Sequence, residues 1–169
     1  PRDIPFFNSI ISEIAKADWT DHAIEVACIL ARTMSDLDLQ QRLLRKEGAV
    51  LRTAKRPLIV AGGGVHYSLA ERELAQFAAT HNIPVMESVA GKSSLACDDP
   101  MFAGPIGVFG ERASQSIAWE PDVVLAVGTR LQDFTTESGT VFKDPAVRLI
   151  SLNVGRFDSL KRGGQALVG

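Results

Sequence analysis

The sequence holds two cysteines and three histidines in 169 residues. Cys28 and Cys97 lie far apart, so the chain has neither a disulfide framework nor a spaced zinc site. Cysteine this sparse fits a reducing compartment, and a cytoplasmic location is expected. No apolar run approaches the roughly 18 residues that cross a bilayer, so no membrane is expected as a partner. The opening segment PRDIPFFNSI has no basic region followed by a long apolar stretch, which argues against a signal peptide. A net charge of -2 lacks the basic excess of a nucleic-acid binder, and nucleic acid is not expected either. Internal repeats and low-complexity tracts are absent.

What remains is a chain that is 46% apolar, enough for a globular core. Ile4, Phe6, Phe7, Ile10, Ile11 and Ile14 crowd the start of an apolar, helical lead-in, with Asp21 as a candidate cap for a second helix. Ser35-Asp36-Leu37-Asp38 resembles a capping box and opens a helix from Asp36 to about Thr53. The chain begins at Pro1 rather than Met and stops after Gln165-Ala166-Leu167-Val168, which reads as the start of a strand. A fragment of a longer polypeptide is expected, with residues 1–35 as lead-in or linker and residues 36–169 as the main domain.

From Arg56 onward the pattern is strand, glycine turn, helix. Leu58-Ile59-Val60-Ala61 is wholly apolar, as in strands buried on both faces, and Gly62-Gly63-Gly64 follows directly. Ser68-Leu69-Ala70-Glu71 has the form of a second capping box, with Ala70, Leu74, Phe77 and Ala78 at helical spacing. Ile83–Met86 is the next strand and Gly91-Lys92-Ser93-Ser94 the next turn. Gly104, Gly107 and Gly110 lie in a loop before a helix from about Glu111 to Trp119. Val123–Val127 is a strand ending in Gly128-Thr129-Arg130, and Val147–Leu152 is another. This alternation predicts an α/β, Rossmann-like three-layer domain with a parallel sheet of about six strands.

Ligands of such sheets bind beyond the strands' carboxyl ends, where these glycines fall. Two familiar motifs are incomplete. Gly62 and Gly64 fit G-x-G, but Tyr67 stands where the third glycine belongs, and Glu87 takes the place of a ribose-binding acid. A tight strand-to-helix turn with an exposed acid accounts for these residues better than a standard NAD site. Gly91-Lys92-Ser93 copies the tail of a P-loop, but Met86 replaces its leading glycine. His22, His66 and His81 have no evident Ser, Cys or Asp partner and read as structural or surface residues. Cys97 lacks an activating base, and Asp122, Asp133 and Glu137 form no recognisable catalytic pair.

Three segments taken in order are more specific. KRPLIVAGGGVHYSLAERELAQFAATHNIPVMES, AGKSSL with DDPMFAGPIGVFG, and EPDVVLAVGTRLQDFTT together resemble the central domain of thiamine diphosphate-dependent enzymes, the family of acetolactate synthase and pyruvate oxidase. VGTRLQDFTT and LNVGRFD are most similar to its myo-inositol-catabolic hydrolases. The resemblance covers about Asp36 to Gly169. It implies a parent enzyme that hydrolyses a carbon–carbon bond in a cyclic 1,2-diketone. Thiamine diphosphate and Mg would bind that enzyme at sites outside this chain, since the family's G-D-G motif is missing here. It also implies no catalytic residue and no metal ligand in this chain, the pyrimidine and diphosphate domains of the same enzyme as partners, and a homo-oligomer.

In flavin-holding members the same loops line FAD. Carried over by position, these residues are Gly62, Gly63, Gly64 and Val65; Gly91 and Lys92, after Ala90; Gly107 and Val108; Gly128, Thr129, Arg130 and Asp133; and Asn153. Two departures weaken FAD binding: Leu152-Asn153-Val154 stands in place of an acidic D-x-D, and no histidine lies near Phe109. The alternative reading is an FAD- or ADP-nucleotide-binding domain of an acetolactate synthase-like enzyme. If the cleft holds no flavin, Arg130 and Asp133 brace neighbouring loops through charge-assisted bonds.

Overall fold

Leu58, Ile59, Val60 and Ala61 are all buried, not alternately so, which requires cover on both faces of their strand. The structure, a computed structural model, describes Lys46 and residues 48–168. The expected lead-in, the capping box at Ser35–Asp38, Cys28 and His22 lie outside the described residues. Residues 48–53 are helical, in keeping with the end expected near Thr53.

Six parallel strands form one sheet in the order β3-β2-β1-β4-β5-β6. They are β1 (Pro57–Ala61), β2 (Val85–Glu87), β3 (Phe102–Pro105), β4 (Val123–Val127), β5 (Arg148–Asn153) and β6 (Gln165–Val168). Pro57 is tolerated because it opens β1, where the ladder begins with the Ile59 N–H donating to the Pro84 carbonyl at 2.9 Å. The expected loop through Gly104 in fact contains β3. Its short, glycine-bearing FAGP lacks the β-branched run that marks a strand, and pairing to β2 supplies the missing preference.

The α-helices after β1 are α1 (Gly63–Tyr67), α2 (Glu71–His81), α3 (Arg112–Trp119), α4 (Asp133–Thr136) and α5 (Arg156–Leu160). Leu58, Val60, Val124 and Ala126 meet Met86, Ile106, Ala118, Leu131 and Val141 in one core cluster. Residues of the opposite parity, Ile59, Val85, Leu125 and Ile150, are buried as well, so both faces of the sheet are covered. Each such side chain contributes about 1.5–3 kcal/mol.

The capping box expected at Ser68 does not form. Ser68 closes α1, Leu69 adopts a left-handed φ of 53°, and α2 starts one residue after Ala70 with no side-chain cap. Glu71 is diverted to another partner, His66. Asn82 ends α2 in the left-handed conformation that asparagine tolerates.

Candidate functional site

The chain builds β1, β2 and β3 outward in one direction, then crosses back to place β4 on the other side of β1. Strand order therefore reverses between β1 and β4, and a crevice opens there beyond the carboxyl ends. A cleft of about 620 Å³ occupies this place. Its floor is made by the glycine turns after β1 and β4. The Gly62 N–H donates to the Val127 carbonyl at 2.8 Å, the Gly64 N–H to the Gly128 carbonyl at 2.9 Å, and the Gly128 N–H to the Leu152 carbonyl at 2.8 Å. These amides extend the sheet's own bonding and are not offered to a ligand. The Val65 N–H is likewise engaged, by the Gly62 carbonyl at 3.1 Å.

The loop after β2 forms the neighbouring wall. A 3₁₀ turn spans Val89–Gly91, and the Ser88 hydroxyl accepts the Gly91 N–H at 3.2 Å. Glu87, expected as an exposed acid, is 5% exposed. Its two carboxylate oxygens accept the N–H groups of Ser93, at 3.0 Å, and Leu95, at 2.9 Å. Burial without such partners would be costly, so the acid is turned inward to hold its own loop and is not available to a ribose. His66 bonds the same loop from α1. Its Nδ1 lies 2.7 Å from Glu71 Oε1 and its Nε2 lies 2.9 Å from the Lys92 carbonyl. The hydrogen bond to Glu71, reinforced by the one to Lys92, raises the imidazole pKa. The same contact lowers that of Glu71.

Of the residues singled out in the sequence, Gly63, Gly64, Ala90, Gly128, Thr129, Arg130 and Asn153 line the cleft. Gly62, Val65, Gly91 and Gly107 are buried, while Lys92, Val108 and Asp133 are exposed away from the lining. Gly107 has φ +77° and packs against the Phe134 carbonyl, so its backbone is demanded by the fold. Asn153 accepts the Gly155 N–H at 3.1 Å and donates to the Thr129 carbonyl at 3.1 Å, tying the β4 and β5 turns together. Arg130 reaches Asp158 at 3.5 Å across the same end. Asp133 pairs with Arg162 at 2.7 Å, and Arg162 also donates to the Leu131 carbonyl at 3.1 Å.

Sequence reasoning does not find the rest of the lining. Tyr67, Val89, Phe109, Phe134 and Val154 form an apolar rim, with Tyr67 92% and Phe134 66% exposed. The one signal in the sequence is that each follows a strand closely yet belongs to no apolar periodicity. Among the described residues, no group of three or more His, Cys, Asp or Glu is placed to hold a metal ion. The acids nearest the cleft are committed to Arg130, to Arg162 and to loop amides. They do not fit a magnesium diphosphate.

The family model of the thiamine pyrophosphate enzyme central domain matches residues 46–165. The chain belongs to this family. The matched segment ends at the first residue of β6. A family model of the Hendrixvirinae small terminases matches residues 1–84, less than half of the chain, and its end overlaps β1 to α2 of the same sheet. The 3D-(3,5/4)-trihydroxycyclohexane-1,2-dione hydrolase of Clostridium botulinum is 45% identical over 71% of this chain and 19% of its own length. The enzyme of the same name from Clostridium perfringens is 42% identical over the same shares. The chain thus spans about a fifth of the length of the curated relatives it matches. A solved structure of a chain assigned as a thiamin diphosphate-dependent enzyme from Mycobacterium smegmatis superposes with a TM-score of 0.62 at 23% identity. It covers 76% of this chain and 25% of that one, and shows the same fold. No described helix is long and apolar enough to cross a membrane.

Proposed function

We propose that this domain is the non-catalytic centre of a thiamine diphosphate-dependent hydrolase that opens a carbon–carbon bond in a cyclic 1,2-diketone of inositol catabolism. The observation that carries the reading is the 45% identity to a trihydroxycyclohexane-dione hydrolase over 120 residues. The domain's task is to position the pyrimidine and diphosphate domains of the same enzyme, which hold the cofactor and Mg. The apolar rim of Tyr67, Phe109, Phe134 and Val154 supports such contacts. A cytoplasmic homo-oligomer, with a domain boundary near residue 36 and a helical lead-in before it, completes the reading. Calorimetry of the 169-residue chain with thiamine diphosphate and Mg tests it. No saturable heat is expected, and tight binding by this chain alone would overturn the assignment of the cofactor site elsewhere.

A second reading is favoured by the cleft at the strand-order reversal, where Gly63, Gly64, Gly128, Thr129, Arg130 and Asn153 converge. In this reading the cleft takes the ADP portion of a nucleotide such as FAD, with Gly62, Val65, Gly91, Lys92, Gly107, Val108 and Asp133 supporting its walls. A concentration-dependent rise in melting temperature with ADP or FAD is its expected sign. An unchanged melting temperature at millimolar ADP would remove it.

A further inference from the structure

A ring with an acceptor at each nitrogen carries information about its own charge. His66 Nδ1 faces a carboxylate oxygen of Glu71 and Nε2 faces the Lys92 carbonyl, at 2.7 and 2.9 Å. Neither acceptor can donate. A neutral imidazole has one N–H and would leave a lone pair pointed at an acceptor's lone pair, whereas an imidazolium satisfies both contacts. The charged groups that face the ring are acids, Glu71 from α2 and Glu87 from the end of β2. Lys92 offers its backbone carbonyl.

The contacts also join separate elements. His66 lies on α1, whose Gly63, Gly64 and Tyr67 form one wall of the cleft, and Lys92 follows Val89 and Ala90 of the adjacent wall. Glu87 already anchors the far side of that loop through Ser93 and Leu95. We propose that His66 is a proton-operated latch between the two cleft walls. As the imidazolium it ties α1 and α2 to the loop of residues 88–95, and on losing a ring proton it releases the Lys92 carbonyl. The proton retained is the one on Nδ1, because its bond to a carboxylate is charge-assisted and the stronger of the two.

The sign follows. The Glu71 and Lys92 contacts raise the folded pKa above the ordinary 6.5. The latch's contribution is therefore complete below that value and is lost as pH rises through the folded pKa. The latch operates whichever ligand or neighbouring domain meets the cleft.

NMR of the 169-residue chain from about pH 5 to about pH 9 tests the latch, since this range brackets histidine titration. The His66 ring should titrate with a midpoint above 6.5, and the amide shifts of Lys92, Ser93 and Ser94 should move with the same midpoint. Glu71→Gln keeps an acceptor but removes its charge, and should lower both midpoints together. His66→Gln should abolish the loop's step while leaving the sheet signals in place. A ring midpoint at or below 6.5, or a loop step that survives His66→Gln, would overturn the latch. Should His66→Gln disturb the sheet, the Glu71→Gln shift decides alone: a loop midpoint that fails to follow the ring's refutes the proposal.

Discussion

Gly64 and Gly128 are pressed backbone to backbone: the Gly64 N–H donates to the Gly128 carbonyl at 2.9 Å, and a Cβ added to Gly128 would lie 2.6 Å from the Gly64 Cα. The glycines that suggest a degraded dinucleotide loop in the sequence are thus explained first by the crossing of the β1 and β4 turns. Closeness to a ligand is a second use of the same surface, since both residues still line the cleft.

Gly128→Ala is therefore expected to destabilise the domain on two counts. The residue holds φ +60°, which costs an alanine about 1 kcal/mol. Its methyl would also overlap backbone that cannot turn aside, adding about 1–3 kcal/mol. Gly163 provides the control. It has φ +72°, but an added methyl there would meet nothing within 4 Å, so Gly163→Ala should show the conformational cost alone. Urea midpoints for the two variants separate the contributions, and equal losses would refute the steric argument.

Glu87 should behave as a structural acid. Glu87→Gln puts an amide donor beside N–H groups that need acceptors, and the loss of one buried bond costs about 1–3 kcal/mol. Hydrogen exchange at Ser93 and Leu95 should quicken, while Val60 and Val124 in the sheet centre exchange as before. If the variant instead reduced nucleotide affinity with no change in loop exchange, the acid would belong to a ligand site.

Asp122 makes acid stability testable. Its carboxylate accepts the N–H groups of Lys55 at 2.6 Å and Arg56 at 3.0 Å, which fixes the entry to β1. Desolvation alone would raise its pKa. The N–H groups of Lys55, Arg56, Asp122 and Val123 outweigh that and hold it below the ordinary 3.8. A depressed folded value means the contribution is present above the unfolded pKa and is lost as pH falls through the folded one. Asp122→Asn should flatten that acid limb of the stability curve. Asp122→Ala removes both bonds and should cost about 1–3 kcal/mol near neutral pH, at the usual worth of a hydrogen bond for each.

The parts of the fold legible in sequence are those fixed locally. Leu58–Ala61 and Val123–Val127 announce buried parallel strands because every residue is apolar, and the turn glycines follow at once. β3 is not legible, because FAGP becomes a strand only by pairing with β2. The site divides in the same way. Gly63, Gly128 and Arg130 sit where strand ends predict, but the burial of Glu87 and its grip on Ser93 and Leu95 depend on how a loop folds back. His66 has no partner visible in sequence, because its partners are a glutamate from the next helix and a main-chain carbonyl, and a carbonyl leaves no trace there.

The apolar rim makes the proposed domain contacts testable. Phe109 and Phe134 expose 61% and 66% of their surface beside Tyr67, which is more aromatic surface than a monomer needs to show water. If the other domains of the enzyme normally cover this rim, the 169-residue chain should bind an apolar dye and associate as its concentration rises. Replacing both phenylalanines by serine should suppress association while leaving the melting temperature nearly unchanged, because neither ring is part of the core cluster of Leu58, Val60 and Val124. Light scattering and a thermal melt on the same samples distinguish the cases. A large fall in melting temperature would mean that the rings support the domain itself, and undiminished association would place the contact surface elsewhere.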